Sequence, residues 1–251
     1  MMALSNEYMN YGVILLVIAG ASYVQAISGF AFALIVMGVI PSLNLMEVAD
    51  AAIVVTILAM VNTATALSKG FANVRWREAA TSLMFSMPSI AIGLYLLDLL
   101  SGSHLGTLRI ALGVTILFSG IMLLKPPHQD AAVSKWPSFA IFGFLSGLIS
   151  GLFSTGGPPV VFQFYRQPWP LPVIRDSLFV LFFVGSTART AMVAFDTGIE
   201  ERLLVLSAIA LPVVVVFTKI GQRYAPGFSD TTIRRAVFGL LTLAAAALMI
   251  G

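Results

Sequence analysis

Two long apolar stretches of the sequence contain, near their middles, the residues whose types and spacing best suit binding of a small ligand. Residues 12–41 are interrupted at 25–30 by Gln-Ala-Ile-Ser-Gly-Phe. Residues 137–168 are interrupted at 150–157 by Ser-Gly-Leu-Phe-Ser-Thr-Gly-Gly, which two prolines follow. Glycine allows the positive φ angles of a tight turn, and proline suits the first turn of a helix. Each stretch is therefore predicted to break at these segments and to begin a new helix there.

A helix that begins inside a membrane can bind an anion at its N-terminus. Its first N–H groups lack intrahelical partners, and the positive end of its dipole favours negative charge. Neither interrupted stretch contains an acidic residue, which disfavours a cation site. The candidate binding residues at the breaks supply backbone N–H groups, hydroxyls, amides or an aromatic wall: Gln25, Ser28, Gly29, Phe30, Ser150, Gly151, Ser154, Thr155, Gly156, Gly157 and Gln163. The alternative is ordinary packing, because small residues are common between membrane helices.

Two further candidates, Arg189 and Asn62, lie within predicted spans of the second and first halves. A charge inside a span is costly and by default indicates function. The guanidinium of Arg189 could donate to two oxygens of a sulfonate. Alternatively, it could snorkel to the membrane surface near Asp196. Asn62 could line the same cavity or could form a contact between helices.

The sequence lacks the residue combinations that enzymes and metal sites require. It contains no Cys, neither His lies in a predicted span, and no span holds a carboxylate pair at helical spacing. We therefore predict no enzymatic activity, no cofactor and no metal. The net charge is only +3 and no dense basic cluster is present, so no nucleic-acid partner is predicted.

The elements that must position the candidates are membrane helices. Hydrophobic residues make up 59% of the 251 residues and charged residues only 10%, against about 45–50% and about 25% in soluble domains. Six stretches are long and apolar enough to span a membrane: 48–68, 79–97, 105–124, 174–195, 203–221 and 236–250. The two interrupted stretches are too long for one span and short for two. Each is predicted to be a re-entrant hairpin or a pair of short spans, broken near the middle of the membrane.

The order of landmarks indicates an internal duplication. Ile27-Ser28-Gly29 recurs as Ile149-Ser150-Gly151, and Pro88 recurs as Pro212 at nearly the same offset. We predict membrane repeats at 1–125 and 137–251, joined by a cytoplasmic linker at 126–136. An odd number of crossings in each half places eleven basic residues on one side and two on the other. This asymmetry matches the positive-inside rule. The predicted fold is thus an all-α integral membrane protein with two inverted repeats, each a broken helix plus three transmembrane helices, and both termini outside.

The second break, Ser150 to Pro159, and the two-repeat plan resemble the TauE/SafE family of sulfite and organosulfonate exporters. The resemblance extends over essentially the whole chain, including the prolines at 88 and 212. The first break departs from the family's glycine cluster, since Phe30 and Phe32 stand there. These rings would suit a substrate with a carbon part. The resemblance implies a bacterial inner-membrane transporter that moves sulfite or a small organosulfonate, usually outward.

From the residues alone, we expect a transporter of small anions that works by alternating access, with membrane lipid as its surroundings. The alternatives are an anion channel and a permease for other small organic anions. The exact substrate, the coupling to protons or other ions, and the oligomeric state stay open.

Overall fold

The protein is described by a computed structural model that covers residues 2–69, 71–103, 105–124, 132–196, 198–224 and 230–250. All regular structure in these ranges is helical. The helices are α1 (Met2–Ser28), α2 (Phe32–Ser42), α3 (Val48–Ala66), α4 (Trp76–Ser103), α5 (Leu105–Leu124), α6 (Trp136–Phe153), α7 (Gly157–Tyr165), α8 (Leu171–Asp196), α9 (Glu201–Arg223) and α10 (Asp230–Ile250). A single 3-10 turn, Leu67–Lys69, follows α3. Most of the predicted linker, together with His104 and His128, lies outside the described residues.

Both predicted breaks are confirmed. The chain leaves α1 at Gly29, whose φ is +89°, and begins α2 three residues later. It leaves α6 at Ser154, whose φ is +59°, and begins α7 at Gly157. Each short helix, of 11 and 9 residues, thus has its N-terminus at a break.

The helix before each break is longer than expected. The apolar part of α1 runs over 19 residues and α6 over 18, which at 1.5 Å per residue is about 27 Å. This length is close to the whole hydrocarbon thickness of about 30 Å. Each half thus has a long helix followed by a short one, and the depth of the breaks within the membrane stays a prediction.

Within the described ranges, six helices have the length and composition to cross a membrane: α1, α3, α4, α6, α8 and α9. Four of them coincide with predicted spans. The predicted spans 105–124 and 236–250 correspond to α5 and α10, whose described apolar parts are shorter. Large apolar side chains also cover the outside of the bundle. Met84, Tyr95 and Leu243, for example, are 67%, 68% and 73% exposed. Such a surface suits lipid rather than water, so the chain is an all-α membrane protein.

Contacts between helix ends define two ends of the bundle. At the first, called the acidic end, the Arg202 Nη2 atom lies 2.5 Å from Asp50 Oδ2, joining the starts of α9 and α3. A cleft at this end is lined by Asn10 of α1 and Asn44 after α2. At the opposite, basic end, Arg175 donates to the carbonyl of Ala26 over 2.7 Å, joining the start of α8 to the end of α1. Helix α1 therefore runs from the acidic to the basic end, and α2 runs back toward the acidic end.

The second interrupted stretch folds back in the same way. The Ser138 hydroxyl, at the start of α6, donates to Gln163 Oε1 near the end of α7 over 2.9 Å. Both stretches are thus hairpins with one long and one short arm.

Helices α4 and α6 are in backbone contact. A Cβ at Gly143 would lie 2.8 Å from Ser82 Cα, and one at Gly147 would lie 2.7 Å from Ser86 Cα. One turn further, a Cβ at Gly151 would lie 2.7 Å from Gly93 Cα. These distances leave no room for a side chain, so the glycines set how closely the two helices approach. The contact also fixes which side of α4 and α6 faces the interior.

Candidate functional site

The two breaks meet at a small cavity inside the bundle. Gln25 and Phe30 line it from the first break, and Ser150, Ser154, Gly156 and Gly157 line it from the second. A Cβ at Gly157 would lie only 3.8 Å from the carbonyl oxygen of Phe30. The water-accessible space is about 50 Å³, against about 10–15 Å³ for a single water. The cavity therefore has the size of a small ion or of a few waters.

Serine hydroxyls make up most of the polar lining. Ser82 and Ser86 come from α4, Ser146 and Ser150 from α6, and Ser186 from α8. The opposite wall is apolar and includes Phe30, Val160, Leu181 and Phe182. The Ser82, Ser86 and Ser146 hydroxyls donate to backbone carbonyls in this structure. A hydroxyl that turns away from its carbonyl can donate to an anion, and the apolar wall can contact a carbon group. Among the described residues, no acidic or basic side chain lines the cavity.

The N-terminus of α2 is capped by the protein itself. The Gln25 side chain is buried, and its Oε1 atom accepts a hydrogen bond from the Phe32 N–H over 2.8 Å. At the start of α7, Pro158 and Pro159 have no N–H to donate. Both helix ends thus offer fewer backbone donors than expected, so hydroxyl groups must supply more of the hydrogen bonds to an anion.

Arg189 lies behind the cavity lining and is 1% exposed, so it does not snorkel to the surface. Its Nη1 atom donates to Thr56 Oγ1 over 2.6 Å and to the Ala52 carbonyl over 3.1 Å. Its Nε and Nη2 atoms donate to the Gly151 carbonyl over 3.3 and 3.1 Å. All of these acceptors are neutral, and no ion pair to Arg189 is present among the described residues. The guanidinium therefore carries a full, uncompensated positive charge next to the site.

A chain of hydroxyls links this charge to the cavity. Thr56 Oγ1, which accepts from Arg189, is also hydrogen-bonded to Ser154 Oγ. Ser154 lines the cavity, whereas Thr56 and Arg189 do not. The guanidinium thus reaches the cavity through Thr56 and Ser154, and its direct pairing with a sulfonate stays a prediction.

The other predicted residues lie away from the lining. Ser28 donates to the Val24 carbonyl, and Gly29 packs against Arg175. Asn62 donates to Thr218 of α9 over 2.8 Å and thus forms a contact between helices. The remaining residues are all buried: Gly151 in the contact with α4, Gln163 next to Ser138, Thr155 with an unpartnered hydroxyl, and Phe32 in the core.

Sequence reasoning included Ser150 and Ser154 but missed Thr56, the serines at 82 and 86 of α4, and Ser146 of α6. The serines have a signal in the sequence, because Ser82 and Ser86, and likewise Ser146, Ser150 and Ser154, recur every four residues and so share one helix face. Thr56 has no comparable pattern. Its role is visible only from the contact between α3 and the end of α6.

Known proteins are similar to this chain over most of its length. A family model described as "Sulfite exporter TauE/SafE" matches residues 14–248. The "Probable sulfite/organosulfonate exporter TauE" of Cupriavidus necator is 38% identical over 233 residues, 93% of this chain and 91% of the relative. The "Probable inner membrane transporter protein TsaS" of Comamonas testosteroni is 29% identical over 174 residues, 68% and 71% of the two chains. No solved structure matches the chain. Because the family match covers most of its length, the chain is a multi-pass membrane transporter of the sulfite exporter TauE/SafE family.

Proposed function

We propose that the protein is a secondary transporter that exports small sulfur oxyanions or organosulfonates, such as sulfite or C2 sulfonates, across the bacterial inner membrane. The observation that carries this proposal is the cavity where both breaks meet. It is lined by hydroxyls, has no acidic side chain among its described lining residues, and lies next to the uncompensated charge of Arg189. The name of the Cupriavidus necator relative supports a sulfur-containing anion. The apolar wall formed by Phe30 and Phe182 supports a substrate with a short carbon group, which these rings can contact.

The proposed architecture is two inverted repeats, 1–125 and 137–251, around this cavity, with 126–136 as a cytoplasmic linker. In support, each half has the same order of helices: one long, one short and three long. Two hairpins, one from each half, bring their breaks to one cavity. Asn10 lines the cleft at the acidic end. Ile250 lies toward the same end, because its neighbour Met249 packs near Gly113 in the first half of α5. By the positive-inside rule, this end faces outward.

The proposed mechanism is alternating access, in which the cavity opens to one side of the membrane at a time. Several lining side chains, including Gln25, Ser82 and Ser146, are buried, which favours an occluded site over a continuous pore. An anion channel is the second candidate, because a fixed path could use the same hydroxyls. A permease for other small organic anions is the third, because hydroxyls also bind carboxylates.

A binding and transport experiment separates these candidates. Purified protein is tested for binding of sulfite, sulfate, short sulfonates and the matching carboxylates. The same protein is then reconstituted in proteoliposomes to measure flux. We expect saturable uptake with mutual competition among sulfonates. Flux that rises linearly with the gradient would favour a channel, and preferred binding of carboxylates would favour the other permease.

Gln25→Leu and Asn62→Leu are a matched pair of variants for this experiment. Both replace a buried amide by a similar apolar side chain, but only Gln25 lines the cavity. We expect the Gln25 variant to lose sulfonate binding and the Asn62 variant to keep it. Equal sulfonate binding by the two variants would show that the cavity is not the substrate site.

A further inference from the structure

Arg189 is the one fully buried positive charge beside the cavity in the part of the chain that the structure describes. None of the lining residues is ionisable. Apart from Arg189, the charged residues on the lining helices lie at or near helix ends: Glu7, Asp50, Arg77, Glu78, Asp98, Arg175, Asp176 and Asp196. Asp50 is paired with Arg202, and Arg175 is only half-buried, bonded to the Ala26 carbonyl. Arg189 is thus the charge that an anion in the cavity would meet with least screening by solvent.

The hydroxyls of Thr56 and Ser154 transmit the positive charge of Arg189 to the cavity in only one orientation of their protons. A hydroxyl has one proton, and Thr56 already accepts a hydrogen bond from Arg189. Its own proton can go to the Ala52 carbonyl, at 2.6 Å, or to Ser154 Oγ. When it goes to Ser154, the Ser154 proton is free to point into the cavity. An anion would favour this orientation, because every hydroxyl from Arg189 to the cavity then presents its positive end.

We propose that the cavity selects oxyanions that carry a single negative charge, namely sulfonates and hydrogen sulfite, over doubly charged sulfate and sulfite. This inference rests on the proposed function, since it names the charge state of the anion that the same cavity takes. One buried cation compensates one anionic charge. A second charge would lose its hydration with only neutral hydroxyls in return, which is unfavourable in a site of low dielectric constant.

Methanesulfonate and sulfate are the sharpest pair of probes. Both are tetrahedral at sulfur and similar in size, and they differ by one negative charge. Binding of each to the purified protein is measured by calorimetry at constant ionic strength. We expect methanesulfonate to bind at least about tenfold more tightly than sulfate. Equal affinity, or tighter binding of sulfate, would overturn the inference.

The pH dependence of sulfite binding gives a second test on the unmodified protein. Hydrogen sulfite loses its proton near neutral pH to give the dianion. If only the singly charged form binds, the apparent Kd for total sulfite rises about tenfold per pH unit above the pKa of hydrogen sulfite. The Kd for methanesulfonate stays constant over the same range, because its charge does not change. A sulfite affinity that is constant, or that increases with pH, would contradict single-charge selection.

Two variants test the route by which the charge acts. Arg189→Gln removes the charge and keeps an amide donor. Ser154→Gly removes the hydroxyl at a position whose φ of +59° suits glycine, so the fold is retained. Both variants should lose the preference for methanesulfonate over sulfate, although only the first removes a charge. A preference retained in Ser154→Gly would show that Arg189 does not act through this hydroxyl.

The outcomes also separate this inference from the proposed function. Failure of every sulfonate and of sulfite to bind would refute both. Binding of sulfonates together with equally tight binding of sulfate would refute the selection of charge and leave the transporter assignment intact.

Discussion

The two glycines that begin α7 should respond differently to the same added methyl group. A Cβ at Gly156 would lie 2.7 Å from Ser150 Cβ and would overlap the Ser146 carbonyl oxygen. A Cβ at Gly157 would lie 3.5 Å from Phe182 Cζ, which is an ordinary contact. We therefore expect Gly156→Ala to distort the second break and Gly157→Ala to leave it unchanged.

The magnitude for Gly156 follows from two losses. Overpacking against a fixed backbone costs about 1–3 kcal/mol. The Ser146 hydroxyl, which donates to the Gly156 carbonyl, would also lose a hydrogen bond worth about 0.5–1.5 kcal/mol. If the substitution destabilises the turn conformation that binds the anion by about 2 kcal/mol, the affinity for the sulfonate drops roughly 30-fold. For Gly157→Ala we expect a change within about twofold.

Sulfonate binding by calorimetry is the assay, with thermal unfolding in detergent to confirm that both variants are folded. Gly157→Leu extends the series, because its longer side chain would fill the cavity and abolish binding without disturbing α6. The reasoning is refuted if the two alanine variants bind equally well, or if Gly157→Ala is the weaker of the two.

Three more variants test individual contacts. Gln25→Leu removes the cap on the Phe32 N–H. Leaving that buried group unpaired should lower the free energy of unfolding by about 1–3 kcal/mol, which is measured as a lower unfolding temperature in addition to the loss of sulfonate binding. Asn62→Ala removes the bond to Thr218 and should cost about 0.5–1.5 kcal/mol with an unchanged Kd, so a weakened Kd would return Asn62 to the site. Arg202→Ala removes an exposed ion pair to Asp50 and should change the stability by at most about 1 kcal/mol; a larger loss would mean that this contact holds the acidic end together.

Local sequence was enough to predict where the helices break. Glycine, serine and proline act on the backbone within a few residues, so the breaks after Ser28 and Phe153 were visible without tertiary information. Four of the long apolar helices, α3, α4, α8 and α9, were also visible, because membrane thickness sets a minimum length that can be counted along the chain. The lengths of the two arms of each hairpin could not be predicted, because either arm of an interrupted stretch of about 30 residues can be the longer one.

The contents of the cavity were predictable only in part, because helix rotation decides which side chains face it. Asn62 and Thr56 lie on the same helix, and both are polar residues in an apolar span. Packing turns Asn62 toward Thr218 and Thr56 toward Ser154. No local pattern distinguishes the two. Arg189 was singled out as a charge within a span, and it is buried as that position suggests, but the neutral partners that leave its charge uncompensated come from two other helices.

The backbone contact between α4 and α6 has a consequence for how the site can work. Because Gly143, Gly147 and Gly151 leave no gap between these helices, the serines at 82, 86, 146 and 150 are carried on one stiff unit. Their hydroxyl oxygens hold fixed spacings before any ion arrives, so little conformational entropy is lost when one binds. Any rearrangement that exposes the cavity must then move other helices past this unit. The serine wall is preorganised, and the short arms α2 and α7 are the smallest parts that can shift against it.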